Sequence, residues 1–258
     1  MALSLKNKLV LITGASSGIG EATAKLCDQL GARLILIARR EDKLKALANS
    51  LQNECLPIKL DVRNREEVEN TVKSLAKEWQ SIDVLINNAG LSKGLNRLHE
   101  APIDDWEAMI DTNIKGLLYL SKAIIPGMVE RQKGHIVNLG SIAGHQTYPG
   151  GNVYCATKAA VKSISEAMKI DLLGTNIRVT SIDPGMVETE FSQIRFDGDK
   201  ERASKVYEGL KPLTGEDIAD AIVYSITRPE HVNIQDMIIF PTAQASATLS
   251  FRNNKKAH

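Results

Sequence analysis

Short apolar runs and longer amphipathic stretches take turns along the whole chain. Lys8 to Thr13, Arg33 to Ala38, Leu56 to Leu60, Asp83 to Asn87, His135 to Leu139, Arg178 to Ile182 and Asp236 to Phe240 have strand length. Helical patterns lie between them. Ile19 to Leu30 carries Ala22, Ala24, Leu26, Cys27 and Leu30 among its apolar positions, and Glu41 to Asn53 and Arg65 to Lys77 follow. Two more are expected at Ile103 to Asn113 and Lys115 to Arg131, with Gly116 and Pro126 as local disturbances. Shorter ones are expected near Glu201 to Glu208 and Asp217 to Ile226. Strand and helix alternating at this spacing build βαβ units. The expectation is therefore an α/β fold, doubly wound, with a seven-stranded, mostly parallel sheet and helices on both faces. No repeat, low-complexity tract or linker divides it, so residues 1–258 read as one domain. Its halves are a cofactor part to about residue 140 and a catalytic and substrate part from about 141.

The turn after the first strand is Gly14-Ala15-Ser16-Ser17-Gly18-Ile19-Gly20. A glycine-rich turn between strand and helix brings backbone N–H groups and a positive helix end to a pyrophosphate. Glycine is needed where a Cβ would block the turn or the ligand. A tight structural turn is the plainer reading, but the second strand ends on Arg39-Arg40. A site for NAD usually has an acidic residue about 20 residues beyond its glycines, to hold the ribose 2′-hydroxyl. Arginines there suit a 2′-phosphate, which favours NADP; the alternative is that both solvate a loop. Asp61, after the third strand, is either a helix-entry cap or a cofactor contact. Asn87-Asn88-Ala89-Gly90, after the fourth, is a turn with two adjacent amides, structural or functional.

The candidate chemistry lies further on. Tyr154 and Lys158 are four residues apart on one expected helix and share a face. An ammonium near a phenol lowers its pKa from about 10, so such a tyrosine exchanges a proton with an alcohol oxygen near neutral pH. Ser141, just beyond the fifth strand, is a cap or a hydrogen-bond partner for a substrate oxygen. Asn113 is a poor residue for a helix interior and is either an exposed or capped amide or a functional one. Past Asp183-Pro184-Gly185 runs a polar and aromatic segment to about Lys200, a candidate lid. Within it Arg195 is the first basic residue, between Phe191 and Phe196. Its fork would suit a substrate carboxylate; the alternative is a surface arginine serving solubility or a subunit contact. Asn152 is the next polar candidate.

Composition removes other readings. Lys plus Arg is 32 against 31 for Asp plus Glu, so no field favours nucleic acid or a membrane surface. No apolar run reaches membrane-spanning length. Met1 to Lys8 lacks the pattern of an export signal. Cys27, Cys55 and Cys155 are odd in number and lack metal spacing, which points to reduced thiols, a cytoplasmic location and no metal.

Thr13-Gly14-x-x-x-Gly18-Ile19-Gly20, Asn87-Asn88-Ala89-Gly90, Asn113, Ser141, Tyr154-x-x-x-Lys158 and Pro184-Gly185 together resemble the short-chain dehydrogenase/reductase family. The order and spacing match along nearly the whole chain. More narrowly, Pro126 to Arg131, Gly150 to Tyr154 and Phe191 to Phe196 look like NADP-dependent 3-hydroxy acid dehydrogenases acting on L-serine and L-allo-threonine. The resemblance implies a Rossmann-like domain and a homotetramer. It implies Tyr154 as acid/base, Lys158 lowering the tyrosine's pKa and bonding the nicotinamide ribose, Ser141 on the substrate oxygen, and Asn113 anchoring a water. It also implies Gly14, Ser16, Ile19 and Gly20 at the pyrophosphate, Asp61 and Val62 at the adenine, Asn88 at a ribose, and Pro184, Val187 and Thr189 flanking the nicotinamide. A 3-oxoacyl carrier-protein reductase or a broad carbonyl reductase would share these motifs. The former predicts a basic mouth, which the near-neutral charge does not suggest. A dinucleotide sensor without turnover would have no need of Ser141, Tyr154 and Lys158 together.

Overall fold

The first strand, β1 (Leu9–Thr13), is apolar on both sides because both of its faces are covered. Leu9 and Leu11 join a cluster with Leu120, Ile124 and Met128 of helix α5 (Leu117–Glu130). Val10 and Ile12 face the other layer, against Ala24 and Cys27 of α1 (Gly18–Gln29) and Ile218 and Ile222 of α9 (Gly215–Ile226). In this computed structural model residues 3–253 are described. The remaining strands are β2 (Arg33–Ala38), β3 (Cys55–Lys59), β4 (Val84–Asn87), β5 (Gly134–Leu139), β6 (Ile177–Pro184) and β7 (Asp236–Ile239). They form one sheet in the order β3-β2-β1-β4-β5-β6-β7. Every pairing is parallel, so the sheet is parallel throughout rather than mostly so. Strand order reverses between β1 and β4, and the loops leaving their carboxyl ends diverge there to open a crevice.

Helix boundaries depart from the periodicity for local reasons. The second helix, α2 (Glu41–Ser50), stops short of Asn53. The buried Asp28 carboxylate takes the N–H groups of Gln52 and Asn53, each at 2.9 Å, and draws that segment out of the helix. Helix α3 (Arg65–Lys73) ends before Lys77, where a single 3₁₀ turn, Lys77–Trp79, follows. The two helices expected around Asn113 are one rod. α4 (Ile103–Ile110) runs into a π-helical turn, Asp111–Gly116, which runs into α5. Gly116 lies where a Cβ would press into the Val62 side chain, so the small residue lets the rod approach the sheet's edge loop.

After β5 comes a 3₁₀ turn, Ile142–Gly144, and then the long α6 (Asn152–Asp171). Beyond β6 the expected lid segment contains one short helix, α7 (Phe191–Arg195), and the helix expected near Glu201 to Glu208 is α8 (Lys200–Lys205). The chain after β7 folds back over this region. Gln244 Oε1 accepts the Met186 N–H at 2.8 Å, and Arg252 donates to the Val206 and Glu208 carbonyls at 2.9 and 2.6 Å.

Candidate active site

A cavity of about 650 Å³ opens at the reversal point. That size holds a dinucleotide's reactive end and a small partner. Its lining takes in Gly14, Ser16, Ser17, Gly18, Ile19, Arg39, Arg40, Asp61, Val62, Asn88, Ala89 and Gly90 as well as Ser141, Tyr154, Lys158, Pro184, Gly185, Val187, Thr189 and Arg195, with Gly90 against Lys158 and Gly18 against Thr189 where the two sets meet. The residues singled out along nearly 200 positions of sequence therefore share one space. Gly20, Asn113 and Asn152 do not line it.

The glycine turn is built by close approach. Gly14 has φ +64°, and a Cβ there would meet the Asn88 amide nitrogen at 2.9 Å. Asn88 Nδ2 donates to the Thr13 carbonyl at 2.8 Å, and Thr13 Oγ1 accepts the N–H groups of Asn88 and Ala89 at 3.0 and 2.9 Å. Asn88 thus clamps the turns after β1 and β4 together, while the Asn87 amide turns the other way, to Ser121 Oγ and Asn138 Oδ1 at 3.0 and 2.9 Å. Gly20 belongs to that clamp, since its Cβ would run into Asn88 and the Gly14 carbonyl. Its place is packing, which is why it sits off the cavity.

Beside the turn, Arg40 Nη2 donates to Ser17 Oγ at 2.7 Å and to Ser16 Oγ at 3.0 Å. Its Nη1 donates to Glu190 Oε2 at 2.7 Å, and Lys43 Nζ donates to the other Glu190 oxygen at 2.7 Å. Hydrogen bonds from Lys43 and Arg40 hold the Glu190 carboxyl down to about 2. Glu190 and Lys43 escaped the sequence reading, because no local spacing ties a loop acid to cations about 150 residues upstream. Arg39 is exposed at the cavity's rim. Asp61 pairs with Arg63 at 2.6 Å and lines the cavity.

At the chemical end Tyr154 and Lys158 are both buried, one helical turn apart on α6. The expected lowering of the tyrosine by the lysine is not what this arrangement produces. Lys158 Nζ turns to the Leu139 carbonyl at 2.7 Å, and burial pulls its pKa down to about 8. Burial pushes the Tyr154 phenol up, opposed by the Arg195 charge and a hydrogen bond with Ser141. The cation over the Tyr154 ring is Arg195, with its Cζ 5.3 Å from the ring centre and 5.1 Å from that of Phe191. Arg195 Nε donates to Ser92 Oγ and its Nη2 to the Tyr148 hydroxyl, each at 3.1 Å. Neither Ser92 nor Tyr148 carries a motif that could have announced it. Ser141 Oγ accepts the Ala143 N–H at 3.1 Å and reaches the Pro184 carbonyl at 3.4 Å.

Asn113 is fully buried within the π turn, neither exposed nor a cap. Its amide exchanges hydrogen bonds with the Leu91 N–H and carbonyl at 2.8 and 2.9 Å, and donates to Thr157 Oγ1 at 3.0 Å. It ties the rod to the turn after β4 and to α6, one residue before Lys158. Asn152 is otherwise engaged: Nδ2 donates to the Asn96 carbonyl at 2.9 Å and Oδ1 takes the Val153 N–H. It starts α6 and does not face a substrate.

The profile of the short chain dehydrogenase family matches residues 8–200, most of the chain. The chain belongs to this family. An NADP-dependent 3-hydroxy acid dehydrogenase of Salmonella typhi is 50% identical over 243 residues, spanning 94% of this chain and 98% of that one. Another from Schizosaccharomyces pombe is 44% identical over 253 residues, 96% and 98% of the two chains. Among solved structures, the closed form of a serine dehydrogenase complexed with NADP⁺ superposes with a TM-score of 0.91 at 46% identity, covering 95% of this chain and all of that one. The Rossmann-like α/β fold expected from the motifs is that of these relatives.

Proposed function

We propose that this family member is an NADP-dependent oxidoreductase acting on CH–OH groups. In this reading a hydride moves between the cofactor and the hydroxyl carbon of a small 3-hydroxy acid such as L-serine or L-allo-threonine. The observation that carries it is the pairing of a buried tyrosine and serine with a half-buried arginine at one end of a cavity whose other end gathers cations. The cation end suits NADP by its donor set. Arg40 and Lys43 already hold an anion, the Glu190 carboxylate, beside two serine hydroxyls, and Arg39 stands at the rim. Gly14, Ser16, Ser17, Gly18 and Ile19 would take the pyrophosphate, Asp61 and Val62 the adenine, and Asn88, Ala89 and Gly90 the adjacent sugar. Pro184, Gly185, Val187 and Thr189 would border the nicotinamide. When bound, NADP supplies the hydride chemistry.

The protein's own part is orientation and one proton. Tyr154 Oη, once ionised to the phenolate, takes the proton from the substrate hydroxyl, and Ser141 Oγ holds the same oxygen. Buried Lys158 keeps a cation near the sugar, and Asn113 fixes the helix that carries it. Arg195 retains N–H donors beyond those given to Ser92 and Tyr148, and these are available to the substrate carboxylate. A carrier-protein reductase would also need a surface for an acidic protein partner, whereas Arg40 and Lys43 are here both engaged by Glu190.

One sheet passes through both halves, which supports a single domain. Among the described residues no helix is long and apolar enough to cross a membrane, and the cysteines are free thiols; a cytoplasmic location is part of this proposal. So is a homotetramer: Ile103, Ile170 and Leu173 are 64, 71 and 79% exposed, apolar side chains that contact with further copies would cover. The test of the reaction is nicotinamide absorbance with NADP⁺ or NAD⁺ against a panel of 3-hydroxy acids and uncharged alcohols. NADP⁺ with L-serine or L-allo-threonine should turn over fastest; preference for uncharged alcohols would overturn the substrate class.

A further inference from the structure

Behind Ser141, outside the cavity wall, three titratable side chains from three elements meet. Asp183, near the end of β6, is 1% exposed, and its Oδ2 lies 3.1 Å from His145 Nε2. Asp236, the first residue of β7, brings an oxygen to 3.9 Å from the same nitrogen. Ser181 Oγ donates to Asp183 Oδ1 at 3.0 Å. None of the three lines the cavity, but Gly140, Ser141 and Pro184 do, and these are their backbone neighbours. Gly140 exists as glycine for this cluster, since a Cβ there would collide with Asp183 Oδ1. Two carboxylates in contact, one of them buried, cannot both keep full charge cheaply, and such groups share protons as a unit.

We propose that His145, Asp183 and Asp236 form a contact cluster behind Ser141 whose negative charge, carried on Asp183, tunes the proton affinity of Tyr154 and Lys158, making the three positioning residues for the oxidation. The inference rests on the acid/base reading of Tyr154. Its electrostatics have a definite sign. Burial, together with Asp236, pushes the Asp183 carboxyl up to about 7, while His145 and Ser181 pull it down. The Asp183 charge in turn raises both Tyr154 and Lys158. The groups facing it are His145 from the turn after β5, Ser181 on β6, Asp236 on β7, and Lys158 and Tyr154 on α6; Arg195 on α7 opposes it at the tyrosine. Below its ionisation the cluster is less negative and Tyr154 gives up its proton more readily. Above it, the new charge holds that proton back. The rising limb of the oxidation rate therefore lies at higher pH than it would without the Asp183 charge.

Two measurements separate the cluster from its effect. Infrared difference spectra across pH read the protonated carboxyl directly and need no turnover. A carboxyl step near neutral pH is expected, shifted to lower pH in Asp236→Asn, to higher pH in His145→Gln, and absent in Asp183→Asn. Opposite shifts in the first two variants are what a merely structural role cannot produce. The pH profile of kcat/KM for oxidation should follow, with its rising limb moved acidward by about half a pH unit or more in Asp183→Asn, and KM for NADP⁺ within about twofold of wild type. If Asp183→Asn does not fold, the other two variants still decide. The proposal is overturned if the infrared step is missing or moves the same way in both, or if the rate profiles superimpose. It is equally overturned if chelator dialysis changes the wild-type profile and Zn²⁺ binding is lost in His145→Gln, which would make this a metal site. Near-normal turnover in Tyr154→Phe would instead remove the acid/base reading and leave the infrared result standing.

Discussion

Replacing Arg195 with leucine should separate substrate binding from proton transfer, because in the proposed reading the guanidinium serves both. Its Nε and one Nη2 hydrogen are taken by Ser92 and Tyr148, which hold the fork in place and leave further N–H groups directed by that anchoring. A charge-assisted hydrogen bond to a carboxylate is worth about 1.5–3 kcal/mol. At about 1.4 kcal/mol per factor of ten, its loss predicts a fall in kcat/KM for L-serine of roughly ten- to a hundred-fold. The same cation lowers the Tyr154 phenol, so leucine also raises that pKa and moves the rising limb of every substrate's profile alkaline. The assay is therefore NADP⁺ reduction across pH for L-serine and for an uncharged alcohol of similar size. The uncharged substrate should show a displaced limb with an unchanged plateau. L-serine should show the displaced limb and a lowered plateau, mostly through KM. Arg195→Lys keeps the charge without the planar fork and should recover the limb more fully than the plateau. A KM for serine within about twofold of wild type in Arg195→Leu would refute the carboxylate assignment.

Tyr154→Phe removes the phenol at little steric cost and should lower kcat by about a hundred- to ten-thousand-fold while NADP⁺ still protects the fold in a thermal shift assay; normal turnover would reject the acid/base role. Replacing Arg39 with Asp and Arg40 with Ser should weaken NADP⁺ far more than NAD⁺, measured as the ratio of the two kcat/KM values, and an unchanged ratio would reject the 2′-phosphate assignment. Light scattering at micromolar concentration should return a tetramer mass, and a monomer would reject the assembly. Buried His135 is kept neutral, since its Nε2 meets Thr180 Oγ1 at 2.8 Å while that hydroxyl donates to the Ile234 carbonyl, and burial pulls its pKa down to about 3. Below the model-peptide value of 6.5 the unfolded chain binds a proton that the folded one refuses. Up to about 5 kcal/mol is then lost between 6.5 and about 3, at about 1.4 kcal/mol per pH unit. Urea titrations of His135→Gln should show a shallower acid slope, and an identical slope would refute this account.

The layers, the glycine turn and the shared helix face of Tyr154 and Lys158 were legible in the chain because each depends on near neighbours. A buried parallel strand announces itself by unbroken apolar residues, and Tyr154 and Lys158 share a helix face by spacing alone. The Gly14 turn likewise needs only its own glycines and the strand before it. What stayed hidden depends on pairs far apart in sequence. Asp28 draws Gln52 and Asn53 out of a helix their composition would support. The π turn at Asn113 exists because the buried amide reaches Leu91 and Thr157, and neither partner is visible from a helix pattern. The direction of the Tyr154 pKa was misread for the same reason. Spacing shows that a lysine is near, but not that its ammonium turns to the Leu139 carbonyl or that the cation opposing burial at the phenol is Arg195.

The segment after Pro184 shows best why position in the fold, rather than residue type, assigns the work. Glu190 lies on Arg40 and Lys43 at the end of the cavity suited to the 2′-phosphate. Its next neighbour, Phe191, opens the five-residue helix α7, whose last residue, Arg195, lies over the Tyr154 ring. Phe191 itself stacks 5.7 Å from Tyr154, ring centre to ring centre. Six consecutive residues thus touch both ends of one cavity. A phosphate that engages Arg40 must do so where Glu190 already sits, next to the helix that places Arg195. On the proposed assignments, cofactor choice and substrate choice are therefore read by the same short stretch of chain. A substitution at Glu190, remote from the reacting carbon, bears on both.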